Sequence, residues 1–364
     1  MVNACKVIDR RNTIPVLAMV MIKATKGGAS IIGTDLDLYT TTFVPGTVTS
    51  DFTVLVDAHR LKATLDKVKD AATINFAIDD AALVTSIGKL NLSLHRGLDA
   101  SEFPLEAAFR TALGTSNCSF VLPAATIAAV LDKVSFAVST EETRYYLNGI
   151  YMHVDEHEQK LCFVATDGHR AALYKVDVPA GAGALPDAGI IIPRKTVAEL
   201  HRMVSRNGRA QDAMVTAAEK GVSFLVGEDE LLESKAIDGT FPDYGRVIPT
   251  SNRHRVGIPS APLIDAIRQA SSIMSEKSRR TSLSFSPGRL VVSCSSPEFG
   301  TASTEVRITS DFELSIGFNA GYLMQLLGQL DGGAMLEIDD PSGPAVIKDG
   351  ADPAITYAQM PMRI

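Results

Sequence analysis

Tryptophan is missing from this 364-residue chain, and aromatic residues of all kinds make up only 6% of it. A surface that stacks successive bases of a single strand needs such rings, so that mode of nucleic-acid binding is not expected. Cysteine is scarce too. Cys5, Cys118, Cys162 and Cys294 stand singly, with neither zinc-ligand nor redox spacing. The last three sit in strand-like surroundings, which suits free, partly buried thiols in a reducing compartment. No apolar run approaches the ~20 residues of a membrane span, and the first residues carry no secretory pattern. The expected location is the cytoplasm, with no membrane partner. No Gly-rich loop ending in Lys-Ser or Lys-Thr is present to cradle phosphates, so nucleotide hydrolysis is not expected. No cofactor and no metal are expected.

Positive charge is also in deficit, with a formal net charge of -7. A protein that grips DNA by charge alone usually has a positive domain. Either DNA is not the partner, or the cations are gathered on one surface. Composition leaves both open.

The rest of the chain has a globular balance, 46% hydrophobic and 21% charged. Its length suggests two or three domains of the usual roughly 100–150 residues. Three stretches of about 110–130 residues read alike, each with amphipathic helices among short alternating strands. In the second, Leu122-Pro123 opens a helix with Ile127, Val130, Leu131 and Val134 on one face, and Pro193 opens another with Val197, Leu200 and Val204. In the third, Leu263, Ile267, Ala270 and Met274 repeat the pattern, and Asn319 caps Leu323, Leu326, Leu327 and Leu330. The first shows one clear helix, capped by Asp57, with Leu61, Leu65 and Val68. Between the helices, Ile31–Asp35 resembles Phe163–Asp167. A triplicated α+β unit follows.

The helices carry cations away from their apolar stripes. Arg194, Lys195, Arg202 and Arg206 lie on the helix after Pro193, and Lys62 and Lys69 on the helix after Asp57. Lys133 and Arg268 hold comparable positions, whereas the helix after Asn319 has Gln325 and Gln329. One such face is ordinarily just solvated. Recurrence in an acidic protein suggests a shared positive surface for phosphates.

Two other clusters invite catalytic or metal readings. Asp167 and His169 could share one side of an extended segment, yet no nucleophile motif accompanies them. His153 and His157 bracket a charged stretch between strand-like runs, which reads as a hairpin turn. Neither catalysis nor metal binding is expected.

Arg144–Gly149, Ala165–Arg170, Ile192–Lys195, Phe241–Tyr244 and Met360–Ile364, with Arg11–Pro15 and Gly33–Leu36, together resemble the beta subunit of bacterial DNA polymerase III, the sliding clamp family. The resemblance runs from about Arg11 to Ile364. It implies an α+β fold of three repeated DNA-clamp domains, at 1–116, 117–243 and 244–364, each with two helices packed on antiparallel sheets. Two subunits would join head to tail into a six-domain ring, helices inside and sheets outside. The implied function is a non-enzymatic processivity factor that encircles double-stranded DNA without regard to sequence and tethers the DNA polymerase III catalytic subunit. Other clamp-binding polymerases and repair proteins, a clamp loader complex and nucleoid association are implied with it.

By the same resemblance, Arg11, Arg194 and Arg202 match positions that the family turns toward DNA, joined here by Lys62, Lys69, Lys133, Lys195 and Arg268. Glu141 stands at a further DNA-side position, where an acid is unfavourable beside phosphate. The partner-peptide pocket would be lined by Leu147, Thr166, Gly168, His169, Arg170, Pro242, Arg246, Val247, Met360, Pro361 and Met362. Methionines adapt to varied apolar guests, and an arginine at the rim could anchor a polar group. Taken alone, Met360-Pro361-Met362 reads instead as core packing of a last strand. The subunit interface would set Lys89, Leu90 and Leu92 against Ile273 and Met274. Only about ten residues precede Arg11, where the family has a strand and a helix. A shortened first domain is therefore expected, with Val2–Ile8 as a remnant of the helix. That start, Glu141 and the acid-poor stretch Gly300–Glu305 motivate a competing expectation: a monomeric or weakly dimeric protein of the same fold that binds clamp-interacting peptides without encircling DNA.

Overall fold

The computed structural model describes residues 2–8, 13–68, 73–79, 82–206, 211–274 and 279–364. Strands β1 (Met19–Thr25), β2 (Gly28–Thr34), β3 (Leu38–Pro45) and β4 (Phe52–Asp57) lead into helix α1 (Ala58–Leu65). Then come β5 (Ile74–Ile78), β6 (Ala82–Ile87), β7 (Leu90–His95), α2 (Ala108–Gly114), β8 (Cys118–Pro123) and α3 (Ala124–Val134). The middle continues with β9 (Gly149–Asp155), β10 (Lys160–Thr166), β11 (Arg170–Asp177), β12 (Ile190–Pro193), α4 (Arg194–Arg206), β13 (Asp212–Ala218), β14 (Gly221–Val226) and β15 (Glu230–Lys235). The last part holds β16 (His254–Ile258), α5 (Ser260–Ala270), β17 (Arg280–Ser286), β18 (Arg289–Ser296), β19 (Gly300–Arg307), β20 (Leu314–Asn319), α6 (Ala320–Leu327), β21 (Ala334–Ile338), β22 (Ala345–Asp349) and β23 (Ile355–Gln359). These form two compact units: Met1–Ala128 with Pro179–Ile237, and Ala129–Val178 with Asp238–Ile364.

In the first unit an antiparallel sheet runs β4-β1-β2-β3-β15-β14-β13-β8. Two blocks far apart in sequence fuse where β3 meets β15, from Thr42↔Glu230 to Leu38↔Ser234. Alternation decides which face is covered: in β8, Cys118, Phe120 and Leu122 are buried while Ser119, Val121 and Pro123 are exposed. Helix α4 buries Val197, Leu200, Met203 and Val204, and Thr196 Oγ1 meets Ser234 Oγ on β15 at 2.6 Å. A separate sheet runs β5-β6-β7. In the second unit, seven strands follow the order β9-β10-β11-β23-β22-β21-β16, joined across Arg170↔Gln359 to Tyr174↔Ile355. A four-stranded sheet runs β19-β18-β17-β20 beside α5 and α6.

The similarity of Ile31–Asp35 to Phe163–Asp167 is a shared turn. After β2, Thr34 Oγ1 accepts from Leu36 N at 2.9 Å, and Asp35 Oδ1 accepts from Asp37 N at 3.2 Å and Leu38 N at 2.8 Å. After β10, Thr166 Oγ1 accepts from Gly168 N at 3.1 Å, and Asp167 Oδ1 accepts from His169 N at 2.9 Å and Arg170 N at 3.0 Å. Leu36 and Gly168 hold the left-handed position, at φ 80° and 86°. Side-chain oxygens bonding to nearby backbone amides stabilise such turns.

Several expected details differ. Helix α1, capped by Asp57 Oδ1 on Arg60 N at 2.7 Å, ends at Leu65, and Val68 follows in a tightened turn through its bond to the Leu65 carbonyl. Met274 and Leu330 likewise lie beyond α5 and α6. Val2–Ile8 is not a helix but a run of turns, with Lys6 N bonded to Asn3 O at 2.9 Å. A segment this short cannot offset the cost of helix nucleation, and packing dominates instead. Ala4, Cys5, Val7 and Ile8 are buried, and the Ala4 carbonyl lies against Gly33 so closely that a β-carbon there would run into it. Gly33→Ala should therefore lose about 1–3 kcal/mol of stability in urea denaturation. Gly46→Ala, with open space around its β-carbon position, should leave stability nearly unchanged.

Candidate partner pocket and cationic faces

The turn Thr166–Arg170, which carries residues expected to line the pocket, lies within the second unit. Thr166 is buried, donating through Oγ1 to the Arg170 carbonyl at 2.8 Å. His169 is exposed, its ring stacked on Tyr322 of α6 with centroids 6.0 Å apart. Leu147 is buried at the end of a 3-10 helix, Glu142–Leu147, and its carbonyl takes Ser139 N at 3.1 Å.

Arg170 is not a rim residue: it is 8% exposed and internally committed. Its Nε meets Asp167 Oδ2 at 3.0 Å, Nη1 donates to Gln325 Oε1 at 2.6 Å, and Nη2 donates to the Phe136 carbonyl at 2.9 Å. The guanidinium also lies 4.3 Å from the Tyr322 ring centroid and 5.0 Å from that of Phe136. It binds the turn to α6. The arginine on the surface is Arg246, with its side chain 87% exposed and paired with Asp243 at 3.0 Å.

A 3-10 helix, Tyr244–Arg246, carries other residues expected to line the pocket; Asp243 Oδ1 accepts from Gly245 N at 3.1 Å, and Pro242 and Val247 are exposed on either side. Tyr244 fastens it to β9 through its hydroxyl, 2.8 Å from His153 Nε2. Behind it, Tyr151 stacks on both His153 (4.8 Å) and Phe241 (4.7 Å). Burial holds the His153 imidazole below its ordinary range, the more so beside Lys175, against the pull of Val154 and Asp155.

The chain's last residues complete the set. Met360 N donates to the His169 carbonyl at 2.8 Å, and Met362 N to the Gly317 carbonyl at 2.8 Å. These bonds hold the backbone while leaving Met360 39% and Met362 38% exposed. Core packing is not what these methionines do. Both side chains, like that of Val247, are exposed apolar groups on a backbone held by hydrogen bonds.

The decoys resolve into structural roles. The Asp167 carboxylate is taken by backbone amides and Arg170, and the His169 ring by Tyr322, so the two do not form a catalytic pair. His157 lies in the β9–β10 turn, where Asp155 Oδ1 accepts from His157 N and Glu158 N, each at 3.0 Å. Sequence reading missed Phe136, Tyr322 and Gln325, the partners of Arg170. The last two also line a cavity of about 310 Å³ with Ser271, Met274 and Arg279. Only the polar, uncharged character of Gln325 had hinted at a different role for that helix.

Arg11 and Lys69 lie outside the described residues. Arg194, Lys195 and Arg202 are exposed on α4. Lys195 pairs with Asp35, Arg202 with Glu199, Lys62 with Asp66, and Arg268 with Asp265. Lys133 departs from expectation. Its side chain is only 12% exposed, reaching the Gln329 carbonyl and Asp331 Oδ2, the latter at 2.8 Å. Carbonyls left open past a helix end attract a cation, and those after α6 have captured this one. Glu141 Oε2 pairs with Arg144 at 2.8 Å. Lys89 and Leu90 are exposed and Leu92 half-buried at strand β7, on the edge of its sheet. Ile273 and Met274 are half-buried after α5, beside β18 and the edge strand β19.

Arg170→Lys keeps the charge but cannot span Asp167, Gln325 and the Phe136 carbonyl together. A loss of about 1–3 kcal/mol in urea denaturation is expected from the unmet buried acceptors.

Sequence models of the DNA polymerase III beta subunit match this chain in three consecutive pieces. The N-terminal domain matches residues 1–107, the central domain 121–243 and the C-terminal domain 245–363. A beta sliding clamp of Caulobacter vibrioides is 37% identical over 374 residues, covering 98% of this chain and 95% of its own. The solved DnaN sliding clamp of Bartonella birtlesii, bound to griselimycin, aligns with a TM-score of 0.91 at 34% identity, covering 100% of this chain and 96% of that one. The beta sliding clamp of C. crescentus aligns with a TM-score of 0.90 at 35% identity, covering 100% and 95%. Matched from end to end in sequence and in fold, the chain belongs to the DNA polymerase III beta subunit family, the bacterial sliding clamps.

Proposed function

We propose that two copies of this chain close head to tail into a ring around duplex DNA and hold a polymerase there through the pocket of the second unit. The observation that carries this reading is the full-length likeness to sliding clamps, with 37% identity across 98% of the chain. The activity is mechanical, not enzymatic: topological linkage retains the duplex while movement along it stays cheap. Domain boundaries at 1–116, 117–243 and 244–364 belong to this reading, as does a cytoplasmic, nucleoid-associated location.

The DNA-facing set is Arg194, Lys195, Arg202, Lys62 and Arg268, with Arg11 and Lys69; Lys133 is withdrawn because Asp331 and the Gln329 carbonyl occupy it. Exposed pairs such as Arg268–Asp265 contribute little to stability, so phosphates can replace such acids cheaply, whereas Arg202 is held by the buried Glu199. Such contacts are blind to sequence. The pocket takes a short peptide with apolar anchors, through Met360, Met362, Val247, Pro242, Pro361, Leu147 and the Thr166, Gly168, His169 wall. Arg246 is the polar anchor at its rim, and Arg170 braces the wall from behind. The DNA polymerase III catalytic subunit, other polymerases, repair proteins and the clamp loader complex would dock there in turn. At the subunit interface, edge strand β7 with Lys89, Leu90 and Leu92 would meet the side of β19 carrying Ile273 and Met274. The likeness to sliding clamps does not favour a monomeric peptide binder.

Light scattering at micromolar concentration is expected to give twice the 38.8 kDa protomer mass; a protomer mass would favour the peptide binder. Loaded onto closed circular duplex, the protein should stay bound, and one double-strand cut should release it. Equal retention on circular and cut DNA would overturn the ring.

A further inference from the structure

The N-terminal turns Val2–Ile8 have no part in the reading above, yet they sit among charges. Lys6 is the exposed residue of the segment, flanked by buried Ala4, Cys5, Val7 and Ile8. Its place is fixed from three sides. Asn3 Nδ2 donates to Glu230 Oε1 at 2.9 Å, and the other oxygen of that carboxylate takes Arg206 at the end of α4. The Ala4 carbonyl is pressed onto Gly33 of β2. Cys5, whose thiol burial pushes up to about 11, lies within electrostatic reach of Lys62, Asp66 and Asp57 around α1. The segment thus sits against β2 and β15, with charges of α1 and α4 around it.

From that position Lys6 feels both helices. Burial holds its ammonium below the ordinary lysine range; Glu199 opposes this, and Arg202, Arg206 and Lys62 add to it. Those three cations each have an acid, namely Glu199, Glu230 and Asp66. No ion pair neutralises Lys6 among the described residues. An exposed cation with no acid of its own, on a backbone held by a buried frame beside three paired cations, is placed to attract anions.

We propose that Lys6 is a phosphate contact, and that the N-terminal turns join the cations of α1 and α4 into one continuous surface for the backbone of duplex DNA. The inference rests on the ring reading above and deepens it: the segment itself supplies charge to the DNA side. A point charge on a mobile stem suits a phosphate contact that carries no sequence information.

The test is equilibrium binding of a short fluorescent duplex to the full-length protein by anisotropy, over a series of salt concentrations. Lys6→Gln should weaken binding about 3–10-fold and lower the slope of log affinity against log salt by about 1. Lys6→Arg should restore both, and Lys6→Glu should weaken binding further. Wild-type affinity and slope in Lys6→Gln would overturn the inference alone. So would a weaker affinity with an unchanged slope and a lowered melting temperature, which would make the residue structural. Wild-type protein without any salt-dependent duplex affinity would overturn this inference together with the DNA reading beneath it.

Discussion

Amides at the end of a strand need acceptors once the ladder stops, and in each unit an aspartate carboxylate supplies them. Asp35 and Asp167 bond to amides two and three residues ahead, and each keeps one oxygen for a cation. That spare oxygen decides how the turn is fastened. In the first unit it takes Lys195, at the start of α4, in a half-exposed pair. In the second it takes Arg170, whose remaining donors reach Gln325 and the Phe136 carbonyl. One turn thus yields a loose fastening and a rigid one. The rigid one backs the proposed pocket, where a guest would need a wall already formed.

Most of the architecture was legible in the residues. Helical spacing and caps located α3, α4, α5 and α6 because their apolar faces meet a sheet, and burial of that kind is written as periodicity. The Thr-Asp turn could be matched between stretches because its chemistry is local. What spacing could not convey was the fate of long charged side chains. Lys133 reads as a surface cation and Arg170 as a pocket-lining residue, yet each reaches groups some 150–200 positions away, the separation from Lys133 to Asp331 being 198 and from Arg170 to Gln325 155. The helix of Lys133 shows its polar side correctly; only the proximity of another helix end turns that side inward. Met360 and Met362 are the converse: taken alone, apolar letters near a final strand suggest a core, whereas backbone bonds hold the chain there with both side chains exposed.

Acidic composition and phosphate binding are compatible because of where the charges are placed. On α1 and α5 the cations Lys62 and Arg268 stand beside acids one turn away that are themselves open to solvent. On the proposed DNA side, contact with a phosphate would there exchange one anion for another. Little energy is gained at any one position, which keeps each contact shallow, and a shallow contact is easily left for the next. A strongly positive surface would hold DNA more tightly and resist translation along it.

Strands β7 and β19 each end a sheet, leaving a row of backbone donors and acceptors open to any extended chain. Thr301, Ser303, Thr304 and Glu305 keep β19 hydrophilic, but Leu90, Leu92 and Leu94 give β7 a greasier border. If, as proposed, a second copy covers these borders, a protomer without it would expose them to mispairing with stray polypeptide and lose solubility before its folded core gave way. In that assembly, supply of the second copy is a matter of colloidal health as much as of closure.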